Sequence, residues 1–236
     1  MKKLILLRHG QSTYNLAHRF TGWADAPLTT QGHAQAAQAG ELLKEAGLFP
    51  QATYSSCLLR ARQTAQAVLA GMPYKIPLQT DWRLNERHYG DLQDKTRQEA
   101  AHKYGLTAVL SWRQMFFCAP PPAADNAAAY QLVPPGVTPP NGESLQQAQQ
   151  RALGFFTQVV FPAFARYDVQ LVAAHEDLLR ALAVYFKNLP PKAVEKLVVP
   201  PATPWVMELD KTYHATQDYF LGDPQEIAAF LKRRPE

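Results

Sequence analysis

Leu4-Ile5-Leu6-Leu7-Arg8-His9-Gly10 is an unbroken apolar run that ends in an arginine, a histidine and a glycine. Four consecutive apolar residues suit a strand, and such a strand delivers Arg8 and His9 into a turn at its carboxyl end. Open α/β sheets place their ligand chemistry at that end. A neutral imidazole is a nucleophile that needs no strong base, and a neighbouring guanidinium can hold phosphate oxygens while phosphorus moves onto nitrogen. By itself the tripeptide suits a strand-end histidine with a basic neighbour equally well.

The chain continues as an alternation. After Leu28-Thr29-Thr30, the spacing of Ala36, Ala39, Leu43 and Ala46 predicts a helix capped by threonine and ended by Gly47. Ala52-Thr53-Tyr54 reads as a strand, and Ser55-Ser56 as the cap of a helix holding Arg60, Thr64 and Val68. A short strand is expected within 76–84 and a helix from Lys95 to Tyr104, ended by Gly105. A helix from about Ser144 to Ala165, broken at Pro162, then feeds the strand Val169–Ala173, with His175 at its carboxyl end. Asp177 is placed to cap the following helix, Trp205–Asp210 alternates as a late strand, and Pro224–Leu231 reads as a terminal helix. Such alternation predicts a three-layer α/β/α fold around a mostly parallel sheet. One domain spanning 1–236 is expected, with a Pro-rich insertion around 105–142 serving as a lid or wall, or else as a surface excursion.

The charge of +4 across 236 residues comes without any Lys/Arg tract interleaved with aromatics, so anionic small substrates explain it as well as nucleic acid does. Cys57 and Cys118 stand far apart with no CxxC spacing, which supports neither a zinc site nor a disulfide framework. Met1-Lys2-Lys3 leads into only four apolar residues before Arg8, too few for a signal peptide or a membrane span. A cytoplasmic protein with no membrane or nucleic-acid partner is expected, and no cluster of acidic residues suggests a metal.

His9, His175, Arg8, Arg60 and Glu86 all fall at predicted strand ends or helix starts, so parallel neighbouring strands would gather them on one face. With those groups together, one histidine can attack phosphorus while arginines neutralise its oxygens and a carboxyl group shuttles the proton. At this point the chain resembles the histidine phosphatase superfamily, and within it the phosphoglycerate mutases primed by 2,3-bisphosphoglycerate. Leu7–Ser12 matches the nucleophile motif; Asn15 and Arg19-Phe20-Thr21-Gly22-Trp23 match the substrate loop. Ser56, Leu58, Arg60, Ala61 and Thr64 match a second motif, Trp82–Gly90 matches the mutase segment, and Asn141–Leu145 and Tyr219–Asp223 are similar to later ones.

The resemblance implies interconversion of 2-phosphoglycerate and 3-phosphoglycerate in glycolysis and gluconeogenesis, by a homodimer or homotetramer. It makes His9 the phosphorylated residue, Arg8, Arg60 and His175 the phosphoryl grip with help from Asn15, and Glu86 the acid and base. Thr21, Gly22, Tyr89, Arg97 and Arg113 would hold the rest of the substrate, and His88 would only position its neighbours. A phosphomonoesterase using the same phosphohistidine is the alternative, and a non-catalytic phosphoester-binding protein a second.

Four positions depart from the resembled pattern. Arg97 replaces a lysine, Gln114 replaces the second of two arginines, and Glu176-Asp177 replace Gly-Asn after His175. Gln114 removes a positive charge from the substrate clamp, while Glu176 and Asp177 bring carboxylates beside the phosphate pocket, free to turn out into water.

Overall fold

The computed structural model describes residues 1–232, so the last four residues of the expected domain, 233–236, lie outside it. Strand β1 (Lys2–Arg8) pairs in parallel with β4 (Val169–Ala174), β4 with β2 (Ala52–Ser55), and β2 with β3 (Leu78–Thr80). On its other edge β1 pairs antiparallel with β5 (Trp205–Leu209), and β5 with β6 (Ala215–Phe220), giving the order β3-β2-β4-β1-β5-β6. The sheet is therefore mixed and mainly parallel.

Helix α1 (Thr13–Leu16) is a single capped turn; α2 (Thr30–Glu45) and α3 (Leu59–Ala70) follow on one face of the sheet. Next come α4 (Arg97–Tyr104), α5 (Leu106–Gln114), α6 (Ala127–Tyr130), α7 (Leu145–Phe155) and α8 (Phe161–Ala163), then α9 (Glu176–Phe186) and α10 (Pro224–Leu231). The continuous apolar run of β1 is explained by burial on both sides. Leu4 and Leu6 enter a core with residues of α7 and α9, whereas Ile5 and Leu7 enter a second core with residues of α2 and α3. At roughly 1.5–3 kcal/mol for each fully buried aliphatic side chain, this strand anchors both layers. No helix among the described residues is long and apolar enough to cross a membrane.

Several local expectations are corrected. Ser55 belongs to β2, and the N-cap of α3 is Leu58, which has no side-chain acceptor; the Ser56 hydroxyl bonds the Leu58 amide and His175. The helix from Ser144 is not broken at Pro162. It widens into a π-helical turn over Phe156–Val160, which carries the backbone past the clash that a proline ring makes with the carbonyl four residues back. Strand β6 carried no clear signal, since its Ala-Thr-Gln-Asp-Tyr-Phe is a partly exposed edge without an apolar face. The insertion at 105–142 is partly helical, and its Pro-rich stretch packs behind Gly90, where the Pro121 carbonyl accepts the Asp91 amide at 2.9 Å. Gly90 has φ of +54° and a side chain there would strike that same carbonyl, so glycine is required twice over.

Candidate active site

The two central parallel strands bring the histidines together. Arg8 sits opposite Ala174, and the His9 amide donates to the Ala174 carbonyl at 3.0 Å, so His9 and His175 leave the sheet side by side. Their ring centroids are 5.1 Å apart. Gly10 turns the chain away against Gly32, whose carbonyl leaves no space for a β-carbon. His9 Nδ1 lies 2.7 Å from the Gly10 carbonyl, which can only accept; the proton is thereby held on Nδ1 and the lone pair on Nε2. Arg60 Nε donates to that Nε2 at 3.2 Å, while its Nη1 and Nη2 donate to the carbonyls of Ala24 and Gly22 at 2.9 Å each. Burial, then the charges of Arg60 and Arg8, hold the His9 pKa well below the ordinary imidazole value, so the ring is neutral at pH 7.

His175 stands behind His9, fully buried. Its Nε2 is 2.7 Å from the Ser56 hydroxyl, which also accepts the Leu58 amide at 3.2 Å. Its Nδ1 is a buried atom with no hydrogen-bond partner among the described residues. Burial and the Arg60 charge keep this histidine neutral too.

Glu86 replaces the expected cap of α9. The N-cap position is His175, with no side-chain bond, and Asp177 lies inside the helix. The Glu86 carboxylate accepts the Leu178 amide on Oε1 at 3.1 Å and the Asp177 amide on Oε2 at 3.3 Å, with the Arg87 amide also on Oε1 at 2.8 Å. Burial, reinforced by the Asp177 charge, pushes the Glu86 carboxyl up to about 7 against the opposing pull of the Arg87 amide and of Arg60 and Arg87. Oε2, with one long contact, is the oxygen best able to carry the proton.

A cavity of about 150 Å³ opens from this centre, the volume that roughly five liquid waters occupy. Of the residues nominated from the sequence, Arg8, His9, Asn15, Thr21, Gly22, Arg60, Glu86, Tyr89, Arg97, Arg113 and Glu176 line it, whereas His175 is buried behind His9 and does not. Gln114 does not: it faces a separate groove beside Leu110, Phe117 and Lys192, because α5 turns Arg113 and Gln114 to different sides. None of the lining residues comes from 118–142, so the Pro-rich stretch is no wall of this pocket.

Asp177 also corrects its expectation. Far from turning to water, it is buried and accepts Arg87 and Arg180 at 2.7 Å each and the Tyr89 hydroxyl at 2.6 Å. Burial alone would raise its pKa, but Arg87 and Arg180 outweigh it and hold the carboxyl well below the usual range. Tyr89, buried against this anion, is pushed up to about 12 and stays protonated. Glu176, likewise, is turned onto Arg8 at 2.8 Å.

Sequence reading missed His18 and Arg180 on the lining and Arg151 behind it. The Asp177/Arg180 pair at i,i+3 is a signal that could have found Arg180. Arg151 pairs twice with Glu143 at 2.8 Å and donates to the carbonyls of Arg83, Asn85 and Glu86, holding the Glu86 segment through contacts that no local spacing encodes. His88, expected to position Glu86 or Tyr89, accepts the amides of Gly90 and Gly142 on Nδ1.

An α/β sheet whose adjacent parallel strands end in paired neutral histidines, within a small arginine-lined cavity, defines a protein that takes a small phosphorylated substrate. No group of three or more His, Cys, Asp or Glu among the described residues could hold a metal ion. The chain belongs to the histidine phosphatase superfamily (branch 1), which it matches over residues 4–219. It is 41% identical to a 2,3-bisphosphoglycerate-dependent phosphoglycerate mutase of Parabacteroides distasonis, covering 98% of this chain and 96% of that one. A protein of the same description from Elusimicrobium minutum is 39% identical over the same shares. Among solved structures, a mycobacterial glucosyl-3-phosphoglycerate phosphatase superposes with a TM-score of 0.75 at 24% identity, covering 93% and 97% of the two chains, a likeness of fold.

Proposed function

We propose that this protein interconverts 2-phosphoglycerate and 3-phosphoglycerate in the cytoplasm through a phosphohistidine at His9. The carrying observation is His9 itself: a neutral ring whose Nδ1 is tied to the Gly10 carbonyl, with its Nε2 lone pair under Arg60. Full-length similarity to bisphosphoglycerate-dependent mutases supports the choice of substrate. The donor set also suits 2,3-bisphosphoglycerate, because Arg8 and Arg60 flank His9 while Arg19, Arg97 and Arg113 line the same cavity. When bound, that compound supplies the phosphoryl group that primes His9.

His9 Nε2 forms the bond to phosphorus as the ester P–O bond breaks, and Glu86 gives its proton to the departing oxygen. In the return step a substrate hydroxyl gives its proton to Glu86, its oxygen bonds to phosphorus, and the P–N bond to His9 breaks. Arg8 and Arg60 hold the phosphoryl oxygens as charge develops, and His175, with its proton placed on Nδ1, donates from an atom that has no partner among the described residues. Asn15, Thr21, Gly22, Tyr89 and Arg113 hold the glycerate. The Asn15 side-chain oxygen is already used to cap α1, so its amide N–H₂ is the group left for a ligand.

The test is turnover of 3-phosphoglycerate with and without 2,3-bisphosphoglycerate, together with acid-labile, base-stable labelling of the protein. His9→Ala should abolish label and turnover. Release of inorganic phosphate much faster than formation of the other isomer, at saturating bisphosphoglycerate, would replace this reading with a phosphatase.

A further inference from the structure

Arg8 is already occupied. Its Nη1 donates to the Val199 carbonyl at 2.7 Å and forms an ion pair with Glu176 Oε2 at 2.8 Å, while the buried Nε has no hydrogen-bond partner among the described residues. Glu176 is the first residue of α9, next to His175, and both it and Arg8 line the cavity. The other two carboxylates of the pocket are anchored: Asp177 by Arg87, Arg180 and Tyr89, and Glu86 by three backbone amides. Glu176 differs, with its side chain 25% exposed and room to move.

We propose that Glu176 is an internal competitor for Arg8 that sets the affinity of the phosphoryl subsite. Its carboxylate takes a phosphoryl oxygen's place on Arg8 until a phosphoryl group displaces it. This rests on the phosphoryl chemistry proposed at His9. Displacement separates one ion pair and leaves a carboxylate facing a dianion, so any phosphoryl ligand is weakened. A phosphoester with a second anionic group regains affinity at Arg19, Arg97 and Arg113, whereas a phosphate ion held at Arg8 has no second anionic group to place there. The site therefore retains doubly anionic phosphoesters and releases bare phosphate.

The experiment is calorimetric titration of inorganic phosphate and of 3-phosphoglycerate into the protein, Glu176→Gln and Glu176→Ala, at one ionic strength. Both variants should bind inorganic phosphate about five- to tenfold more tightly, the scale of a partly exposed charge pair plus the repulsion it leaves. The Michaelis constant for 3-phosphoglycerate should fall by a similar factor while kcat changes less. Arg113→Ala should weaken 3-phosphoglycerate and leave inorganic phosphate unaffected. Unchanged or weaker phosphate binding in both Glu176 variants, with thermal melts showing them folded, overturns the proposal, as does an equal loss of both ligands in Arg113→Ala. Phosphate binding does not depend on which acceptor receives the phosphoryl group, so failure of isomer formation would remove the mutase reading and leave this result standing.

Discussion

Glu86→Gln should separate activity from stability. In the folded protein the Glu86 carboxyl sits at about 7 instead of its ordinary 4.5, raised by burial and by Asp177. Between those two values the folded state holds a proton that the unfolded chain has released, so stability falls as pH rises through the window, and the whole cost is present above pH 7. The shift corresponds to roughly 3 kcal/mol. Glutamine resembles the protonated acid: its oxygen can accept the Arg87 and Leu178 amides as Oε1 does, and only the 3.3 Å contact to the Asp177 amide is lost. The variant should therefore melt about 6–12 °C higher than the parent at pH 8, and at nearly the same temperature at pH 4.5. Turnover should drop by about 10²–10⁴-fold, with its pH dependence through neutrality lost. Thermal melts at the two pH values and a steady-state pH profile supply the readings. A variant less stable than the parent at pH 8, or stabilised equally at both pH values, refutes the account of Glu86 as a buried acid held protonated near neutrality.

Asp177→Asn removes the shared counter-ion of two buried arginines and should destabilise the protein by about 3–5 kcal/mol in denaturant titration. The same change takes a negative charge from beside Glu86, so a carbon-13 titration of the Glu86 carboxyl should show a lower pKa, and an unchanged value would exclude Asp177 as a cause. Arg151→Met strips the carbonyls of Arg83, Asn85 and Glu86 of their donor and unpairs buried Glu143; a loss of about 2–4 kcal/mol by chemical denaturation is expected, with turnover reduced. Gln114→Arg should leave the Michaelis constant for 3-phosphoglycerate within about twofold, since a charge in a separate, solvent-open groove contributes little; a marked fall would place residue 114 in the substrate clamp after all.

Much of this protein could be read along the chain. The run before Arg8 announced a strand, Thr29 and Gly47 bracketed α2, and Val169–Ala173 marked the second central strand, because these signals are periodic or local to one element. Motif order was enough to nominate His9, Arg60, Glu86 and Tyr89, all of which meet in one cavity. The fate of the charges was not legible. Ser56 and Asp177 read as helix caps because side-chain oxygens near a helix start ordinarily serve there, yet Ser56 bonds His175, 119 residues away, and Asp177 bonds Arg87, 90 residues away. Glu86, in turn, caps a helix that begins 90 residues later and takes its acidity from that position. Whether Glu176 meets water or Arg8 depends on how β1 and β4 align, and a carboxylate's charge, proton affinity and partners are set by distances of a few ångströms that only the assembled sheet brings into being.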